Sequence, residues 1–460
     1  MLLPVEEASP EAKLYMMADN DVVRNMNVRL AVNKVDYFVP VDLTGFDNKH
    51  LSFNFQLIPD SAICWKEMKL SDEYDISNCE KFRPVYHFTP AYGWMNDPNG
   101  MVYKDGVYHL FYQHNPYGSM WGNMHWGHAV SADMIHWEYL PLALAPSEVY
   151  DDHLKGGCFS GSAIEHDGKL FLIYTGTCNN GNGFEQAQCI AYSEDGIHFE
   201  KYEGNPVITA PEGVPTDLFR DPKVWKHDDT YYVVCGASKN GFAQARLYKS
   251  TDMFHWEFVN VLAESRGEWG YMWECPDYFK VEGRPVFAFN PQGIEAEEYR
   301  FANIYQSGYL ADVRLPDTGQ IRDIYKKFRE WDLGFDFYAP QSMVAPDGRR
   351  LIVAWANEWE WMPLFKDWGP TYQEGWCGFF NVIREVRMCK DGTLAFVPVE
   401  EMEKIRENKF TQREIQITET PQQLKAGDGI SFEMKFTLDL EETGRTEAQM
   451  RKRKRIPLYF

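Results

Sequence analysis

Three acidic residues stand in short frames that could cut a bond between two sugars. Asp97 lies in W-M-N-D-P-N-G (94–100), Asp221 in F-R-D-P (219–222) and Glu274 in W-E-C-P-D (273–277). Cleaving a glycosidic linkage takes two carboxyl groups. One protonates the leaving oxygen and the other attacks the sugar carbon. A third carboxylate, held by its neighbour Arg220, would be free to grip sugar hydroxyls. Asp-Pro-Asn-Gly and Arg-Asp-Pro are also ordinary turn sequences; what sets them apart is their company. The three acids are far apart in the chain (221 − 97 = 124 and 274 − 221 = 53 residues), so the fold has to bring them together.

The elements available for that are β-strands. A turn followed by an aromatic, β-branched run recurs five times: DGVYHLFYQ (105–113), DGKLFLIYTG (167–176), DDTYYVVCGA (228–237), EGRPVFAFN (282–290) and DGRRLIVAWA (347–356). Asp-Gly between strand-like runs is a strong hairpin signal, because glycine supplies the positive φ of the tight turn. A second repeat, SADMIHWEYLP (131–141), SEDGIHFEKYE (193–203) and STDMFHWEFVN (250–260), falls in register with the first. The identical place of His136, His198 and His255 in it marks them as structural and not as ligands. Five such units with little helical periodicity predict an all-β chain built on a five-bladed β-propeller; a β-sandwich with fortuitous hairpins is the alternative. The inner strands of a propeller line its channel, so side chains from separate blades can meet at its mouth.

Residues 1–84 alternate in short β-like stretches and predict a small β-rich module, 85–400 the propeller, and 401–460 a partial β-sandwich ending in the aberrant basic tail RKRKRIPLYF. The 460 residues, 44% hydrophobic and 15% aromatic, suffice for one large core plus a smaller module. A net charge of −22 argues against nucleic acid and against an anionic membrane surface. Nine scattered cysteines without a C-x-x-C pair or zinc spacing read as buried thiols, with no metal site and no cofactor motif. The start, MLLPVEEASP, lacks the features of a signal peptide, so the chain as written reads as cytoplasmic, or as periplasmic or secreted if a leader was removed.

In this order and in these frames, the motifs resemble glycoside hydrolase family 32, the β-fructosidases: invertases, inulinases, levanases and sucrose-6-phosphate hydrolases. The resemblance runs over roughly residues 85–400. It implies a retaining hydrolase that releases fructose from a fructan such as levan or inulin, or from sucrose, without a cofactor. Asp97 would be the nucleophile, Glu274 the acid/base and Asp221 the stabiliser of the transition state. An acid working near neutral pH needs desolvation or a like charge beside it, and Trp273, Cys275, Pro276 and Asp97 would surround Glu274. By the same resemblance Asn96, Gln113, Trp121, Phe159, Ser160, Arg220, Tyr338, Gln341 and Trp355 would line the sugar pocket. One departure is W-A-N at 355–357, where the family more usually has W-M. Sucrose-6-phosphate hydrolase, a fructan-forming transferase and a non-catalytic sugar-binding propeller stay open as alternatives.

Overall fold

The computed structural model describes residues 1–74, 81–153, 155–298, 300–314, 321, 327–357, 359, 370–416, 420–423, 431–438 and 456–459. The described residues are all-β apart from short helical turns, and the chain falls into two compact units, Met1–Phe396 and Val397–Phe460.

The first unit opens with β1 (Leu2–Val5), β2 (Ala12–Ala18), β3 (Asp21–Val28), β4 (Tyr37–Pro40), β5 (Leu51–Phe55) and the helical turn α1 (Cys64–Glu67). β1 pairs with β4, and β3, β2 and β5 form a three-stranded sheet. In β2 buried residues alternate with half-buried ones, as expected of a strand with one face on a core. Leu14 and Met16 meet Val5, Val28 and Val39 there.

Beyond it, the described strands form five successive antiparallel meanders. The first is β6 (Gly93–Lys104), β7 (Val107–Asn115), β8 (His125–Ser131) and β9 (Glu138–Leu144). The second is β10 (Gly157–His166), β11 (Lys169–Asn179), β12 (Phe184–Ser193) and β13 (Glu200–Lys201), with β14 (Ile208–Thr209) beside β12. The third is β15 (Phe219–His227), β16 (Thr230–Lys239), β17 (Phe242–Ser250) and β18 (Glu257–Glu264). The fourth is β19 (Met272–Val281), β20 (Arg284–Gln292), β21 (Gly308–Ala311) and β22 (Arg329–Glu330). The fifth is β23 (Tyr338–Val344), β24 (Arg350–Trp355), β26 (Arg384–Met388) and β27 (Leu394–Pro398), while β25 (Trp376–Cys377) runs parallel to β6 and joins the first sheet.

The repeated sequence runs are the second strands of these sheets. Asp105-Gly106, Asp167-Gly168 and Glu282-Gly283 are two-residue hairpin loops in which both residues have positive φ. In the second repeat Asp133, Asp195 and Asp252 each accept from the ring Nδ1 of His136, His198 and His255 and from backbone amides of the same turn. Those histidines are outward turn locks, as expected.

Each second strand is buried on both faces, and its alternating residues pack against different neighbours. Leu170, Leu172 and Tyr174 meet Phe111 and Trp126 of the first sheet. Phe171 and Ile173 meet Phe219 and Val233 of the third. Val234 joins Trp273, Phe287 and Phe289, and Val286 and Ala288 join Ile352 and Ala354. At about 1.5–3 kcal/mol for each buried large side chain, these inter-sheet layers are the main cohesion of the region. The sheets approach closely where glycine permits. A Cβ on Gly236 of β16 would lie 1.9 Å from the Trp273 carbonyl oxygen. Gly236→Ala should therefore displace β19 and cost about 1–3 kcal/mol, read as a lower urea midpoint; an unchanged midpoint would contradict this packing.

Among its described residues the second unit holds a 3-10 turn, Glu400–Ile405, and an antiparallel pair, β28 (Lys435–Leu438) and β29 (Ile456–Tyr459). Residues 414–416 and 420–423, which are described, lie outside strands. The basic run 451–455 lies outside the described residues.

Candidate active site

The first strands β6, β10, β15, β19 and β23 lie side by side, and β23 returns to β6. Each carries a β-bulge at the same level. In β6 it falls between Met95 and Pro98, in β10 between Phe159 and Gly161, and in β15 between Arg220 and Lys223. In β19 it falls between Glu274 and Asp277, and in β23 between Tyr338 and Gln341. A proline sits inside or at the edge of four of them, Pro98, Pro222, Pro276 and Pro340, where a missing N–H breaks no ladder bond. The residues before three of these prolines take left-handed backbone, with φ 64° at Asp221, 41° at Cys275 and 51° at Ala339. For non-glycine residues that costs on the order of 1 kcal/mol or more each. Bulges re-aim side chains, and here they turn three acids into one cavity.

That cavity, about 330 Å³, is lined by Asn96, Asp97, Gln113, Trp121, Phe159, Ser160, Gln186, Arg220, Asp221, Glu274 and Trp359. Asp97 is buried and accepts from Ser160 Oγ (2.7 Å) and Asn96 Nδ2 (3.1 Å). Its carboxyl is pushed up to about 6, by burial first and then by the charge of Glu274, against those two hydrogen bonds. Asp221 Oδ2 accepts from the Cys275 amide (3.0 Å), and its own amide donates to Thr175 Oγ1 (2.9 Å). Burial raises its pKa too, helped by the charges of Glu274 and Asp97 and opposed by Arg220. The Cys275 Sγ lies 3.7 Å from Asp97 Oδ2 and 3.6 Å from Asp221 Oδ2, and burial holds that thiol neutral.

Arg220 departs from expectation. It was expected to hold Asp221, its chain neighbour. It instead donates from Nε (3.0 Å) and Nη2 (2.8 Å) to Glu274 Oε1, and stays 4.0 Å from Asp221 Oδ2. The bulge brings both side chains to the cavity, and the left-handed backbone at Asp221 aims its carboxylate at the Cys275 amide instead. Tyr338 donates to Glu274 Oε2 at 2.5 Å. Oε1 thus takes both guanidinium hydrogens and Oε2 takes the Tyr338 hydroxyl.

Three of the expected pocket residues stand behind the cavity. Tyr338 is fully buried and acts through Glu274. Gln341 accepts from Lys223 Nζ (2.9 Å) and donates to the Gly161 carbonyl (3.1 Å), beside the buried Lys223–Asp277 ion pair. Trp355 is fully buried, its ring edge-on to Trp94 at 6.1 Å and to Trp359 at 5.0 Å, and it is Trp359 that reaches the cavity. Trp355 ends β24, so its direction is fixed by the sheet, whereas Trp359 lies beyond the strand. Trp359 and Gln186 were missed by sequence reasoning. The tryptophan-rich run after β24 and the Gln186/Gln188 pair in an otherwise buried strand were the available signals. The described cysteines are free, and all but Cys389 are buried.

Comparison with known proteins agrees with this arrangement. The sequence model of the glycosyl hydrolases family 32 N-terminal domain matches residues 87–398, and a domain of unknown function, DUF4980, matches residues 1–86. The chain is 46% identical over 331 residues to raffinose invertase of Escherichia coli, covering 70% of this chain and 66% of that protein. It is 44% identical over 332 residues to a sucrose-6-phosphate hydrolase of the same organism, covering 71% and 66%. Among solved structures, a Bombyx mori β-fructofuranosidase superposes with a TM-score of 0.62 at 41% identity, over 71% of this chain and 67% of that one. The sucrose-6-phosphate hydrolase of Lactobacillus gasseri gives 0.65 at 32%, over 74% and 70%. The chain spans about two-thirds of the length of the curated relatives it matches. It belongs to glycoside hydrolase family 32.

Proposed function

We propose that this chain is a retaining β-fructosidase acting on sucrose or a short sucrose-derived oligosaccharide. The observation that carries the reading is the convergence of Asp97, Asp221 and Glu274 from three separate sheets in one cavity. In the same reading residues 85–400 are a five-bladed propeller with the site at its channel mouth, supported by five meanders whose first strands adjoin in a ring. Residues 1–84 form a small β-rich module, and 401–460 part of a sandwich.

In the first step Asp97 attacks the anomeric carbon of the fructosyl unit. The bond to the leaving oxygen breaks and that oxygen takes the Glu274 proton. Asp221, fixed by the Cys275 amide, accepts hydrogen bonds from fructose hydroxyls as positive charge grows on the ring. In the second step Glu274, now a carboxylate, takes a proton from a water whose oxygen attacks the anomeric carbon; the bond from that carbon to Asp97 breaks, which restores the Asp97 carboxylate and releases fructose with its configuration retained.

Relatives named as invertase and as sucrose-6-phosphate hydrolase leave two substrates to weigh. Among the described residues that line the cavity, Arg220 is the one cationic side chain, and Glu274 occupies it. That favours an uncharged second sugar. Chromatography of products from sucrose, raffinose, inulin, levan and sucrose 6-phosphate tests the choice. Preferential cleavage of sucrose 6-phosphate would overturn it, release of fructose chiefly from levan or inulin would shift it to a fructanase, and saturable sugar binding without product would mark a non-catalytic protein.

The pH profile tests the role of Asp97. A nucleophile must be ionised, so kcat/KM should fall as pH drops through about 6. The Ser160 hydrogen bond favours the ionised form, so Ser160→Ala should move this acidic limb to higher pH. A limb that stays in place, or moves down, would contradict the assignment.

A further inference from the structure

A buried carboxylate of the amino-terminal module meets the connection that carries Trp121. Glu7 is 1% exposed, and its Oε1 accepts from Ser119 Oγ (2.6 Å), the Ser119 amide (3.1 Å) and the Tyr37 hydroxyl. Its Oε2 lies 3.7 Å from Arg29 Nη1. The Tyr372 carbonyl oxygen lies 3.0 Å from the same Ser119 Oγ, whose one hydrogen goes to the nearer and charged Glu7 Oε1. Ser119 belongs to the connection between β7 and β8, residues 116–124, which also carries Trp121. Tyr117 of this connection is buried in the core of the module beside Leu3, Val39 and Cys64. Asn115 then braces it from inside, donating to the Met120 carbonyl at 2.9 Å. Two residues beyond Ser119, the half-buried Trp121 forms the cavity wall with Phe159, their rings 6.0 Å apart and 74° inclined.

A buried carboxylate has to be paired: Oε2 has the Arg29 charge at 3.7 Å but no hydrogen-bond partner, so the three donors on Oε1 carry the pairing and hold Ser119 and Tyr37 to one geometry. We infer that the module is a positioning element of the active site: Glu7 fixes the 116–124 connection and thereby sets the Trp121 indole as the wall that receives the second sugar. This rests on the fructosidase reading given above. Glu7 is a positioning residue, not a catalytic one. It touches no reacting atom, and it acts through Ser119 on Trp121.

The test is a double-mutant cycle on the full chain, joined to hydrogen exchange. Glu7→Gln should raise KM for sucrose about fivefold and leave kcat within about twofold, as expected for loss of binding shared by ground and transition states. In a Trp121→Ala background the same change should have no further effect, because the residue it positions is gone. Ser119→Ala, which reaches the contact from the other side, should behave alike and covers the case in which Glu7→Gln does not fold. Amide exchange over 116–124 should rise in both variants while β7 and β8 keep their protection. Full additivity in the cycle, or unchanged exchange over 116–124, would overturn the proposal. Wild-type protein without fructosidase activity would sink the assigned function instead, and the exchange measurement would still decide the anchoring.

Discussion

Asp97→Asn is expected to abolish turnover and to raise thermal stability at neutral pH. The loss should be on the order of 10⁴-fold or more, since no fructosyl-enzyme can form without the nucleophile. The gain follows from linkage. The Asp97 carboxyl is raised from an ordinary value of 3.8 to about 6 in the folded protein. Its protonated form therefore favours folding, fully below about pH 4, and that stability is lost as pH rises through about 6. Asparagine carries no charge to desolvate, so at pH 7.5 the variant should be more stable by about 1–3 kcal/mol, the lower end allowing for its altered bond to Ser160. At pH 4 the two proteins should melt together. Initial rates and thermal melts at both pH values check this. Equal melting at pH 7.5 would mean that Asp97 is not a desolvated carboxylate.

Glu274→Ala is expected to lose about 10²–10⁴-fold on sucrose, the usual worth of general acid–base catalysis. The loss should be smaller for the first step on a fructoside with an acidic leaving group, which departs without a proton. Hydrolysis of the intermediate would still lack its base, so the fructosyl-enzyme should accumulate. Azide needs no base and can occupy the space left by the side chain, so it should restore turnover and give a fructosyl azide of retained configuration. The variant also frees Arg220 Nε and Nη2, whose acceptor is Glu274 Oε1. Equal inactivity on activated and ordinary substrates, with no azide effect, would remove Glu274 as the acid/base.

The framework of the fold was legible because its signals are local. Asp105-Gly106 and Asp167-Gly168 mark two-residue hairpins by backbone chemistry alone, and the doubly buried runs after them read as strands. The three acids were legible because each stands in its own frame. What escaped was direction. Whether Arg220 turns to Asp221 or to Glu274 depends on a bulge register set by pairing with β16. Whether Trp355 or Trp359 lines the cavity depends on where β24 stops, and boundaries are weakly encoded. Gln341 belongs to the frame and not to the pocket because a lysine from another sheet, Lys223, claims its side-chain oxygen. Pairings between sheets of this kind are invisible in a single linear pattern. The prolines at 98, 222, 276 and 340 were a readable clue, since proline inside a strand calls for a bulge.

The central claim is that Asp97 forms a covalent bond to fructose. The most direct measurement is mass spectrometry of Glu274→Ala, denatured during turnover of an activated fructoside and digested to peptides. The expected result is one added fructosyl unit on the peptide that contains Asp97, lost on incubation with azide before denaturation. A fructosyl unit on the peptide of Asp221, or no adduct together with product of inverted configuration, would contradict it.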